Sequence, residues 1–104
     1  MAQFDVYENS NPETALVFPY LVDVQADLLS SLPTRVVVPL VSVSVLKGAV
    51  PELNPQFEIE GVKLFLLTPQ MSGVAIRVLG TKVCSLKSRR PEILAALDFL
   101  FVGY

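Results

Sequence analysis

The chain has 104 residues, of which 52% are apolar and 17% charged, and a formal net charge of −2. That length suits one domain spanning residues 1–104, with a core that buries roughly two-thirds of the unfolded surface and needs no staples. The charge balance excludes the basic footprint of a phosphate-backbone binder, the lack of histidine excludes imidazole zinc sites and a Ser-His-Asp triad, and a lone cysteine, Cys84, excludes an internal disulfide.

The N-terminal "MAQFDVYENS" lacks the basic start and apolar core of a signal peptide. No run approaches the ~18 apolar residues of a membrane helix. The expectation is a soluble, cytoplasmic protein. Its apolar content is high for a small soluble monomer, so either both faces of a sheet are covered or apolar surface meets a partner.

In chain order, "AQFDVY" alternates, with Phe4 and Val6 on one side and Gln3, Asp5 and Tyr7 on the other, the pattern of a half-buried strand. "ENSNPET" has loop composition. A second strand carries Val22, Val24 and Ala26 on one face and Asp23, Gln25 and Asp27 on the other, which is expected to be solvated. "SSLPT" turns, and "RVVVPL" follows as a third strand, with Pro39 marking an edge, a bulge or a strand end. "VSVSVL" reads as a continuation, and "KGAVPELNP" as a loop. "QFEIEGVKLFLLT" predicts a hairpin turning at Glu60-Gly61. After a turn at "PQMSG", "VAIRVLG" alternates as a strand, with Val74, Ile76 and Val78 opposite Ala75 and Arg77. Strands therefore fill about residues 2–83.

The period then changes. Ile93, Leu97, Leu100 and Phe101 follow i, i+4, i+7, i+8, predicting a helix over about residues 88–101, with Ser88 as N-cap, Pro91 in the first turn and Glu92 at the positive end of the dipole. Leu94, Ala95, Phe99 and Val102 lie outside that stripe, so the helix has two apolar sides. One takes the sheet and the other is expected to meet a second chain. Each large apolar side chain buried there is worth roughly 1.5–3 kcal/mol. The sum is a mainly antiparallel β domain closed by a C-terminal helix.

Chemistry-bearing groups are sparse. Asp23 and Asp27 are too few ligands for a metal. No phosphate-cradling glycine loop exists, and no cofactor is implied. Lys82, Lys87, Arg89 and Arg90 read as a solvated loop. Arg35 and Arg77 lack a neighbouring nucleophile or base. Cys84, with nothing to activate it, is a small apolar filler. By these residues alone the chain is a non-enzymatic interaction domain.

"MAQFDVY", "FPYLVDVQADLL", "TRVVVPL", "LLTPQMSGVAIRVLG" and the terminal "LDFLFVGY" resemble the CcdB-type toxins of toxin–antitoxin modules over essentially the whole length. The resemblance implies a homodimer of SH3-like small barrels, the CcdB/MazF-type toxin fold. It implies a non-catalytic poison, encoded on a plasmid or chromosome, that binds the A subunit of DNA gyrase and traps the enzyme on cleaved DNA. A cognate antitoxin with a disordered C-terminal segment would neutralise it, with no direct binding of nucleic acid. Carried over position by position, the gyrase-binding set is Gln3, Phe4, Tyr7, Ala26, Leu28, Asp98, Val102, Gly103 and Tyr104. Val102 stands where well-known members have tryptophan, Tyr104 where a branched aliphatic is usual, Ala26 where serine is common and Asp98 where asparagine is found. Leu94, Phe99 and Phe101 are the expected dimer-interface residues. Two alternatives stay open: an endoribonuclease of the related MazF/Kid type, with Arg35 as catalytic cation, and a degenerate toxin that keeps only the dimeric fold.

Overall fold

The computed structural model describes residues 1–103. Seven strands form one curled antiparallel sheet: β1 (Asp5–Asn9), β2 (Tyr20–Asp23), β3 (Thr34–Ser42), β4 (Gln56–Ile59), β5 (Val62–Leu66), β6 (Ser72–Ala75) and β7 (Leu79–Ser85). The sheet runs β4-β5-β3-β2-β1-β7, with β6 also paired to β3. A single α-helix, α1 (Arg90–Val102), closes the described chain. The expected class, mainly β with antiparallel strands and a C-terminal helix, is observed, and the expected small barrel takes the form of a curled half-barrel sheet.

The β4–β5 hairpin turns where expected. Glu60 and Gly61 both have positive φ (52° and 80°), as a two-residue turn of the primed type requires. Phe57 then faces Leu64 and Ile59 faces Val62 across the ladder.

β3 is the common rail, and Pro39 lies in its interior rather than at an edge or end. Its first half pairs with β6 (Thr34 to Val37) and its last part with β5 (Leu40 to Ser42). In an antiparallel strand a residue's N–H and C=O point the same way. The Pro39 carbonyl accepts the Leu67 N–H at 2.9 Å, so its missing donor faces the junction where β6 gives way to β5. The ladder with β2, through Val38 and Leu40, loses nothing.

The main core lies on one face. Val6, Val22, Val38, Leu40, Leu64 and Leu66 meet Phe4, Phe57 and Ile59, and α1 covers them with Ile93 and Ala96. The other face is buried as well. Tyr7, Leu21, Val37 and Val41 are buried there, and Leu21, Val37 and Pro39 line a groove of about 390 Å³ together with residues of segments 10–18 and 68–78, among them Thr14, Phe18, Met71 and Val78. A sheet covered on both sides accounts for part of the apolar composition.

Several local expectations change. The first strand starts at Asp5, not Ala2, because Phe4 takes a positive φ of 71°, and it runs on through Asn9 into the expected loop. Asn9 holds that loop through its side-chain amide, which donates to Thr14 Oγ1 and Phe18 O, both at 2.9 Å. "VSVSVL" leaves the sheet after Ser42, where Val45 N–H turns back to Ser42 O. "VAIRVLG" breaks at a short 3-10 turn, Ile76–Val78, so its alternation does not mark one strand. Ser88 makes no cap. A 3-10 turn, Lys87–Arg89, leads into α1 instead, and Pro91 and Glu92 occupy its first turn. No described helix is long and apolar enough to cross a membrane.

Candidate functional site

In "VDVQAD" Asp27 is exposed as expected and Ala26 is exposed against expectation, while Asp23 and Gln25 do not form a wet face. Asp23 is 0% exposed and Gln25 7%. Arg35, the expected free cation, is also 0% exposed and forks onto Asp23: Nε donates to Oδ2 at 2.8 Å, and Nη2 lies 2.6 Å from the same oxygen. Asp23 Oδ1 accepts the Gln25 N–H at 3.0 Å. Burial pushes the Asp23 carboxyl up from the usual range, against the opposing pull of the guanidinium and this amide. Beside this pair, Asp5 is buried, accepts from Tyr7 Oη at 3.3 Å and lies 3.3 Å from Lys82 Nζ. Burial, and next the Asp5 charge, push Tyr7 up to about 12. This layer lies on the face of the sheet away from α1 and is structural. With its guanidinium sealed inside, Arg35 has no route to a phosphodiester, which removes the catalytic role considered for it. Cys84 is half-buried and burial pushes its thiol up, so it is not activated.

The expected target-facing residues fall in three places. Gln3, Phe4, Ala26 and Leu28 gather at the base of α1. Gln3 Oε1 accepts from Arg90 Nη1 at 2.9 Å, and the Arg90 guanidinium lies 5.5 Å from the Phe4 ring centroid. Phe4 itself is 1% exposed, locked in the core. Leu28 stands in the turn Asp27–Leu29, which buries none of its residues. Tyr7 is buried beneath the other face, apart from these. Asp98, Val102 and Gly103 lie at the far end of the helix, all exposed. Val102 is about 18 Å along the axis from Arg90 at 1.5 Å per residue. Among the described residues no hydrogen bond or ion pair joins the two groups. Tyr104 lies outside the described residues.

The helix divides as its sequence requires. Ile93, Leu97 and Leu100 turn inward with Ala96. Phe101, placed by its spacing in that stripe, is instead 70% exposed, because it lies at the margin of the stripe and beyond the end of the core. Leu94, Asp98, Phe101 and Val102 recur at i, i+4, i+7, i+8 on the outward side, apolar but for one carboxylate. Of the expected interface residues, Leu94 and Phe99 are half-buried, Leu94 lying partly against the core. Gly103 closes the helix in the left-handed conformation (φ 85°), its N–H bonding to Phe99 O at 2.9 Å.

Sequence reasoning missed the basic residues here. Arg89 and Arg90 are not a free loop. Arg89 stacks 4.5 Å from the centroid of Phe57 and pairs with Glu92, and Arg90 joins Gln3 to the helix. The signal was available in their spacing, since Arg89 and Glu92 stand at i, i+3.

A small curled β half-barrel with a greasy terminal helix defines a class of interaction domain built on apolar surface. The chain matches the family model described as CcdB protein over residues 3–103. It belongs to the CcdB family, whose members are gyrase-poisoning toxins of toxin–antitoxin modules rather than a family of catalysts.

Proposed function

We propose that this protein is a type II toxin of the bacterial cytoplasm that binds the A subunit of DNA gyrase as a homodimer and holds the enzyme on cleaved DNA. The observation that supports this reading is the outward side of α1. Phe101 is 70% exposed and Val102 54%, two adjacent large apolar side chains left uncovered. A surface of this kind is hidden by other polypeptides. Leu94, Phe99 and Phe101 bury against a second copy, in an isologous contact. Ala26, Leu28, Asp98, Val102, Gly103 and Tyr104 meet gyrase, with Gln3 and Phe4 behind the first two; Tyr7, buried under the other face, acts through the fold alone. A cognate antitoxin, through a disordered C-terminal segment that folds on binding, covers the toxin and strips it from gyrase. A carboxylate accepts hydrogen bonds and does not donate them, so a donor on gyrase is expected opposite Asp98.

The test is a cleavage assay with purified gyrase, ATP and supercoiled plasmid. The protein is expected to block supercoiling and to give linear DNA after detergent treatment. A variant lacking Val102 to Tyr104 is expected to stay folded and lose that effect. Full poisoning by the shortened protein would overturn the assignment.

A further inference from the structure

Leu28 is 94% exposed. A side chain with no core contact is aimed only by its backbone, and two tethers hold that backbone. From within, Gln25 Nε2 donates to Leu29 O at 2.9 Å, while Gln25 Oε1 accepts the Val36 N–H at 3.0 Å. From outside, Asp27 Oδ1 accepts the backbone N–H of Gln3 at 2.8 Å. Gln3 is committed at both ends of its own amide, since Nε2 donates to Val24 O at 3.1 Å and Oε1 accepts from Arg90 Nη1 at 2.9 Å. An unbroken line of bonds thus runs from the first residue of α1, through Gln3 and Asp27, to the residue preceding Leu28.

We propose that Asp27 is a positioning residue of the target-binding surface, fixing Leu28 relative to the helix through Gln3 and Arg90. The inference rests on the reading of gyrase as target. It also changes the expected part of Gln3. With its amide donating to Val24 and accepting from Arg90, Gln3 is a strut between elements and not a group held ready for another protein. Asp27 needs no contact with the target, and its charge is not what matters. The tether requires an acceptor oxygen at that place, so asparagine serves and alanine does not. The alternative is that Asp27 only stabilises the N-terminus, in which case its loss acts on folding and is indifferent to what stands at position 28.

The two are separated by a double-mutant cycle. Binding of the full-length chain to full-length gyrase A subunit is measured by surface plasmon resonance for the parent, Asp27→Ala, Asp27→Asn, Leu28→Ala and Asp27→Ala with Leu28→Ala, with a melting curve for each. Loss of the one hydrogen bond predicts about tenfold weaker binding for Asp27→Ala, and a change within about twofold for Asp27→Asn, which keeps an acceptor oxygen. In the Leu28→Ala background, Asp27→Ala is expected to add nothing. Equal losses in both backgrounds, or a weakened Asp27→Asn, would overturn the positioning role while leaving gyrase as target. A parent protein that does not bind the gyrase subunit would overturn the functional reading and the inference with it.

Discussion

Replacing Arg35 by methionine keeps much of the side chain's volume and removes its charge. Asp23 is then left 0% exposed with the Gln25 N–H as its remaining partner. Breaking a buried pair from one side costs about 3–5 kcal/mol, because the other charge stays uncompensated. At roughly 4–8 °C per kcal/mol for a domain of this size, the melting temperature is expected to fall by roughly 15–30 °C. Asp23→Asn in the same chain removes the stranded charge and keeps an oxygen for Gln25, so the double variant is expected to return to within about 1–2 kcal/mol of the parent. Acid is expected to rescue the single variant in part. The folded Asp23 carboxyl titrates above its unfolded value, and losing Arg35 raises it further. Its protonated form therefore favours the fold: the contribution is fully present below the unfolded pKa and is lost as pH rises through the folded one. Thermal denaturation by circular dichroism, at one protein concentration and several pH values, measures this. A loss under about 1 kcal/mol for Arg35→Met at neutral pH would refute the sealed ion pair.

Three further outcomes are expected. Tyr7 and Tyr20 both titrate near 12, Tyr7 chiefly through burial and Tyr20 chiefly through its 2.7 Å bond to Glu60; an ultraviolet absorbance titration should show both late, and stability should fall between the unfolded tyrosine pKa near 10 and these raised values, since the unfolded chain releases its protons first. Gly80→Ala sets a methyl 2.9 Å from Glu8 O, and chemical denaturation should show a loss of about 1–3 kcal/mol from overpacking. Phe101→Asp should turn a dimer into monomers in sedimentation experiments, yet leave the fold of each copy intact, because this ring is 70% exposed and lies outside the core; an unchanged sedimentation coefficient would count against the dimer surface.

Most of the architecture was legible where one local cause decided it. The Glu60-Gly61 turn follows from two residues that accept positive φ, and α1 from a period that no strand shares. What misled was alternation. In "VDVQAD" it correctly separates Val22 and Val24 from Asp23 and Gln25, but alternation says nothing about what covers the second face. That face is buried too, and Arg35, twelve residues after Asp23, arrives to neutralise the carboxylate. Pairings at that separation leave no mark in a local window. "VAIRVLG" failed for a related reason: its polar and apolar residues alternate across a 3-10 turn that joins two strands with different neighbours. At the site, Leu28 and Val102, both taken from the family pattern, are exposed. The buried states of Phe4 and Tyr7 did not follow from that pattern, because it locates positions and not their surroundings.

Pro39 carries a last consequence. Every other amino acid would bring an amide hydrogen to this buried position, on the side of β3 where the pairing with β6 ends and that with β5 begins. Without a donor at that point, the hairpin and the short strand are attached to their shared rail as separate fixtures. Either can loosen while the other keeps its grip, so slow isotope exchange should divide this sheet into two patches that meet at residue 39.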